Sequence, residues 1–124
     1  DDHEIEKSVF NRQTYVVMNF DEIIATFTIY PEASDWDLKL WKTDAKQTAY
    51  LHKLALDWTE LGKGLGSQVI GWVEQECRKK GTCRLRLDCV ADNDKLNRFY
   101  SSNGYEKVGE VEGFSLYEKL LVQR

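Results

Sequence analysis

Three glycines at alternate positions, Gly62, Gly64 and Gly66, join an apolar run to a long amphipathic segment. The run is Leu51 to Leu56, and the amphipathic segment starts at Leu65 without a break. That order predicts a strand, a tight turn and a helix within Leu54 to Arg78. The first N–H groups of a helix have no partner inside it and carry partial positive charge, so the turn predicts an anion site. Glycine lets the backbone approach a ligand closely and take positive φ.

The flanking sequence supplies the rest of the fold. Leu65, Val69, Trp72, Val73 and Cys77 keep the spacing of a buried stripe, which predicts a helix over Leu65 to Lys80. Arg78, Lys79 and Lys80 load its last turn with positive charge, and Gly81 supplies a stop. Arg84 to Val90 (RLRLDCV) alternates as a strand. Strand, helix and strand this close together predict a parallel βαβ unit with a right-handed crossover. In the strand Ala49 to Leu56, simple alternation puts Tyr50, His52, Leu54 and Leu56 on one face and Leu51, Lys53 and Ala55 on the other.

Upstream, residues 3 to 12 are expected to form a short helix with Ile5 and Val9 on one face. Thr14 to Phe20 and Ile23 to Tyr30 predict an antiparallel hairpin turning at Asp21-Glu22, closed by Pro31. Glu32 to Thr48 is polar and too long for a structureless connection, so local structure is expected there. Its tryptophans, Trp36 and Trp41, either wall a pocket or pack over the sheet edge. Downstream, Asp92 or Asn93 caps a helix to about Ser102, with Leu96, Phe99 and Tyr100 on one side and Gly104 ending it. Tyr105 to Val111 and Phe114 to Val122 predict a closing hairpin. The whole is a mixed sheet, antiparallel first and parallel in the middle, covered by helices.

Composition narrows the partners. The 124 residues suffice for one domain. A net charge of −4 disfavours nucleic acid as the main partner, and no apolar run approaches a membrane span. The N-terminus lacks a signal-peptide pattern. Cys77, Cys83 and Cys89 make neither a disulfide framework nor a zinc spacing, so no metal is expected. Cys77 and Cys89 fit as small core residues of a cytoplasmic protein.

Spacing separates the anion sites the turn could form. A P-loop needs a hydroxyl residue after its lysine, and Lys63 is followed by Gly64. A dinucleotide fingerprint needs glycine where Ser67 stands, although Asp88 lies at a suitable distance for its acidic residue. Leu61-Gly62-Lys63-Gly64-Leu65-Gly66 resembles the acyl-CoA motif Q/R-x-x-G-x-G/A of the GNAT (Gcn5-related N-acetyltransferase) superfamily, with Leu61 in place of Arg or Gln. Tyr50 to Leu56 looks like that family's fourth strand, and Ile23 to Ile29 like its third. Asn93, Phe99, Tyr100, Gly104 and Tyr105 match its N-x₅-F-Y-x₃-G-F/Y pattern. The resemblance covers about residue 14 to the end. It implies an α/β GNAT acyl-CoA N-acyltransferase fold, a single domain over 1–124 that is short at its N-terminus, without the family's usual first strand and helices.

The resemblance also implies a chemistry: acetyl transfer from acetyl-CoA, as cosubstrate, to a primary amine. The strand from Leu54 through Ala55 to Leu56 would splay from its neighbour and bind the pantetheine arm. The Leu54 amide would donate to the acyl carbonyl. The amides of Leu61, Gly62, Lys63, Gly64, Leu65, Gly66 and Ser67 would hold the pyrophosphate, with Lys63 adding charge. Asn93 would bond the pantetheine or cap its helix. Tyr100 would protonate the departing thiolate, as a neutral phenol can. His52 and Tyr50 are the candidate bases, an imidazole suiting that role; Asp88, Glu22 and Glu60 follow. A small-molecule amine is favoured over a protein, and the family's frequent dimers admit a homodimer. A catalytically silent acyl-CoA-binding or regulatory module on the same fold is the alternative.

Overall fold

The computed structural model describes residues 3–7, 13–57 and 64–121. Its strands are β1 (His3–Lys7), β2 (Thr14–Asn19), β3 (Glu22–Tyr30), β4 (Thr48–Leu56), β5 (Arg84–Val90), β6 (Glu106–Val111) and β7 (Phe114–Leu120). Its helices are α1 (Asp35–Trp41), α2 (Leu65–Lys79) and α3 (Asp94–Ser102). The strands form one sheet in the order β1-β2-β3-β4-β5-β7-β6. Every neighbouring pair is antiparallel except β4 with β5.

The expected helix at residues 3 to 12 is corrected. His3–Lys7 is a strand, paired with β2 so that Ile5 stands opposite Val17. A helix that short is marginal in water, whereas the edge of β2 offers a row of backbone groups to pair with. Residues 8–12 lie outside the described residues. The first hairpin turns at Phe20-Asp21, one residue earlier than expected, with Phe20 at φ +56°.

The polar stretch after β3 contains α1. Ser34 caps it and Asp37 completes a reciprocal capping box, while Lys42 closes the other end in the left-handed conformation. α1 covers one face of the sheet. There Trp41 lies against the Arg86 guanidinium, 4.3 Å from ring centroid to Cζ. Arg86 in turn donates to Glu118, to the Tyr50 hydroxyl and to the Thr43 carbonyl.

α2 and α3 cover the other face. Leu65, Val69, Ile70, Val73 and Cys77 of α2 join Tyr15, Phe27, Leu51, Leu85 and Leu87 of the sheet in the core. Trp72 packs edge-on against Tyr15. Cys77 and Cys89 are buried and unpaired, and burial pushes their thiols up to about 12 and about 11 respectively. Between the layers, Glu74 of α2 is buried. It accepts from the Tyr105 hydroxyl at 2.8 Å and from Lys119 Nζ at 3.1 Å, which ties α2 to β7 and to the turn after α3.

The pairing of β4 with β5 is short. It runs from Thr48↔Arg84 to Tyr50↔Arg86 and then stops, although β4 continues to Leu56 and β5 to Val90. On its other side β4 carries an irregularity. Thr28 pairs with His52 and Thr26 with Ala55, so Phe27 faces both Lys53 and Leu54. This is a β-bulge, and Lys53 takes φ +56° within it. The extra residue corrects the expected alternation. Leu54 and Leu56 turn to the core face with Leu51, while His52 stays on the face of Tyr50.

Truncating Glu74 to Ala would leave Tyr105 and Lys119 without their buried acceptor. We expect a loss of roughly 1–3 kcal/mol, read as a lower midpoint in urea, with Glu74→Gln milder because an amide oxygen still accepts.

Candidate active site

The parting of β4 and β5 opens a gap in the middle of the sheet. Side chains from both strands flank it, and those on the α1 side form a cluster. Oxygens of Asp37 and Asp88 and a ring nitrogen of His52 all lie within 4.8 Å of one another. His52 sits on β4 just past the last pair with β5, and Asp88 occupies the corresponding place on β5.

Asp37 is almost fully buried, and its Oδ2 collects three donors. The Ser34 amide lies at 3.0 Å, the Ser34 hydroxyl at 2.8 Å and His52 Nε2 at 2.8 Å. The capping box of α1 and the hold on His52 thus share one oxygen. A carboxylate only accepts, so Nε2 carries the proton in the neutral ring and Nδ1 keeps its lone pair. The Tyr30 ring packs beside the imidazole, with centroids 5.0 Å apart.

Asp88 accepts from the indole N–H of Trp36 at 3.1 Å. Burial raises its pKa above the ordinary carboxylate value, the Trp36 hydrogen bond and His52 oppose the rise, and Asp37 adds to it. With a folded-state pKa above the unfolded one, ionised Asp88 weakens the fold at neutral pH. That penalty fades as pH falls through the raised value.

Tyr100 lies on the opposite face, in the layer of α2 and α3. It is buried among Phe99, Tyr105 and Tyr117. Burial, with smaller contributions from Cys89 and Asp88, drives its pKa well above the usual phenol range, so the hydroxyl stays protonated.

The expected anion site is described from Gly64 onward. Gly64 is the N-cap of α2 at φ +79°, with open space where a Cβ would stand. Among the described residues no side chain caps this end and no acidic residue occupies its first turn, an arrangement that suits an anion on the amides of Leu65, Gly66 and Ser67. Leu61, Gly62 and Lys63 lie outside the described residues, as does Glu60. Asn93 caps α3, accepting from the Leu96 amide at 3.0 Å. Leu54, Ala55 and Leu56 form the part of β4 beyond its pairing with β5. Tyr50 lies below the gap, wholly buried, with its hydroxyl taken by Arg86. Glu22 begins β3 at the hairpin turn, away from the cluster. A cavity of about 550 Å³, lined by Tyr15, Ala49, Cys77 and Lys80 among others, lies at the far end of β4, where the parallel pairing still holds.

Sequence reasoning named His52 and Tyr100 as candidates and ranked Asp88 low. It missed Asp37, although Ser34-x-x-Asp37 has the spacing of a capping box.

The chain is similar to proteins of one family. The Acetyltransferase (GNAT) family matches residues 2–105. An uncharacterized N-acetyltransferase of Bacillus subtilis, YesJ, is 38% identical over 121 residues, covering 96% of this chain and 67% of the relative. A GNAT acetyltransferase structure from Listeria monocytogenes superimposes with a TM-score of 0.72 at 26% identity, over 88% of this chain and 64% of that one. The PaiA N-acetyltransferase of Thermoplasma acidophilum, solved with coenzyme A, shares the fold at a TM-score of 0.69 and 19% identity, over 86% of this chain and 59% of its own. The chain thus spans about two thirds of the relatives it matches, and it belongs to the GNAT acetyltransferase family.

Proposed function

We propose that this chain is an N-acetyltransferase that moves the acetyl group of acetyl-CoA to a primary aliphatic amine. The observation that carries this is the gap between β4 and β5, with His52 on one face of the sheet and Tyr100 on the other. The cosubstrate enters from the α2 side. Its pyrophosphate lies on the amides of Leu65, Gly66 and Ser67, at the start of α2. Its pantetheine arm runs along the unpaired edge of β4 from Leu54 to Leu56. That lays the thioester across the gap, between the two faces.

The acceptor arrives from the α1 side. His52 Nδ1 takes one amine proton, with Nε2 held by Asp37. The nitrogen lone pair then forms a C–N bond with the thioester carbonyl carbon. The Leu54 amide stabilises the resulting oxyanion. The C–S bond breaks as the carbonyl re-forms, the departing sulfur receives the Tyr100 proton, and the nitrogen releases its second proton to solvent, leaving the neutral amide. Solvent restores both side chains. A phenol held neutral by its surroundings suits the acid step, because its proton is present at every working pH. Tyr50 supports the site from below through Arg86, leaving His52 as the base.

Acetyl-CoA and CoA should stabilise the protein in thermal shift, by about 2.7 kcal/mol at a hundredfold excess over Kd. ATP and NAD should not, and stabilisation by either in place of CoA would remove the assignment. Stabilisation by CoA without turnover on any amine would mark a silent acyl-CoA-binding module. Tyr100→Phe should lower kcat about 10²-fold while leaving the Kd for CoA within about twofold; unchanged turnover would take Tyr100 out of the mechanism. Asp37→Asn can offer its amide N–H to Nε2 and so trap the wrong tautomer. We expect a kcat loss of at least about tenfold with KM for acetyl-CoA unchanged.

A further inference from the structure

The acceptor side of the gap is negatively charged in a specific way. Asp37 is satisfied by Ser34 and His52. Asp88 accepts from the Trp36 indole, and among the described residues no lysine or arginine forms an ion pair with it. Two cations of this face are occupied elsewhere. Arg86 is fixed by Glu118 and Tyr50, and Lys39 pairs with Glu112 while lying 5.7 Å from the Trp36 ring. Trp36 is about one third exposed and stands edge-on to Phe114, so an indole forms part of the mouth beside the carboxylate.

We propose that Asp88, framed by Trp36, receives the acceptor in its ammonium form and restricts the protein to aliphatic amines without a carboxylate next to the reacting nitrogen. This rests on the N-acetyltransferase reading and adds the class of acceptor to it. An aliphatic amine is a cation near neutral pH, and a partly desolvated carboxylate is the group that attracts it most strongly. A ring nitrogen of His52 lies within 4.8 Å of an Asp88 oxygen, which sets the imidazole beside the seated ammonium to take its proton. The N–H bond breaks, Nδ1–H forms, and the neutral amine is left beside the thioester. An α-amino acid would bring its own carboxylate against Asp37 and Asp88, a juxtaposition of like charges that disfavours it. A divalent ion fits the same three side chains less well, because it would have to break the 2.8 Å hydrogen bond between His52 and Asp37.

Free-thiol release from acetyl-CoA should be followed with propylamine, with a lysine peptide blocked at both ends, and with glycine. We expect kcat/KM for propylamine or the peptide to exceed that for glycine at least about tenfold, and the ratio of those two separates a small amine from a protein lysine. Asp88→Asn should raise the acceptor KM about tenfold, leave the acetyl-CoA KM within about twofold and narrow the preference over glycine. Asp88→Glu should keep the preference, which distinguishes charge from packing. Glycine as the better acceptor, or an Asp88→Asn variant with unchanged acceptor KM, would overturn the proposal. So would stabilisation of the CoA-loaded protein by zinc ion but by no amine. Failure of CoA to stabilise the protein would instead strike the acetyltransferase reading itself.

Discussion

The parting of β4 from β5 is the constraint on which the rest of the structure depends. Two parallel strands that pair over three residues would ordinarily continue, since each further bond follows from the last. Here the bulge at Lys53 and Leu54 stops them. One extra residue on β4 bends the strand away and increases its local twist. The departure exposes a strand edge in the interior of the sheet, where an unpaired N–H or C=O has to find another partner. A ligand with amide groups along its length is such a partner. The bulge also reverses the facing of side chains beyond it. Leu54 and Leu56 seal the core, while His52, before the bulge, remains on the α1 side.

α1 organises that side. Seven residues would not hold a helix alone in water. Capping at both ends and packing on the sheet hold this one. Asp37 serves the cap and His52 with the same oxygen, so the ring is fixed by the element that covers it. Arg86 sits beneath as a support, gathering Trp41, Tyr50 and Glu118 around one guanidinium. On the other face, Glu74 performs the equivalent service by joining α2 to Tyr105 and Lys119. Each face of the gap is thus braced by a buried, hydrogen-bonded charge, which fixes positions at some expense in desolvation.

Much of this was legible in the chain. The stripe of α2, the alternation of β5, the cap at Asn93 and the closing hairpin follow from local periodicity and capping chemistry. His52 and Tyr100 were reached through the family pattern. Three features were not legible. The strand at His3–Lys7 exists because β2 offers it an edge, and so few residues carry no decisive period. The bulge breaks a period of two that the residues themselves obey, and nothing in Lys53 announces a left-handed conformation. Asp37 looked like one acid in a polar stretch, because its partner lies fifteen residues away on a strand of the sheet.

By itself the sequence determined the family, the parallel unit of β4, α2 and β5, and the closing hairpin, because these depend on neighbours within a few residues. Tertiary structure alone decided which acid holds His52, that Tyr50 serves Arg86, and that Trp36 reaches Asp88 across fifty-two residues. The physical reason is one of range. Helical stripes and caps are local interactions written in the spacing of the chain. Hydrogen bonds across a sheet depend on register, and a single bulged residue resets the register.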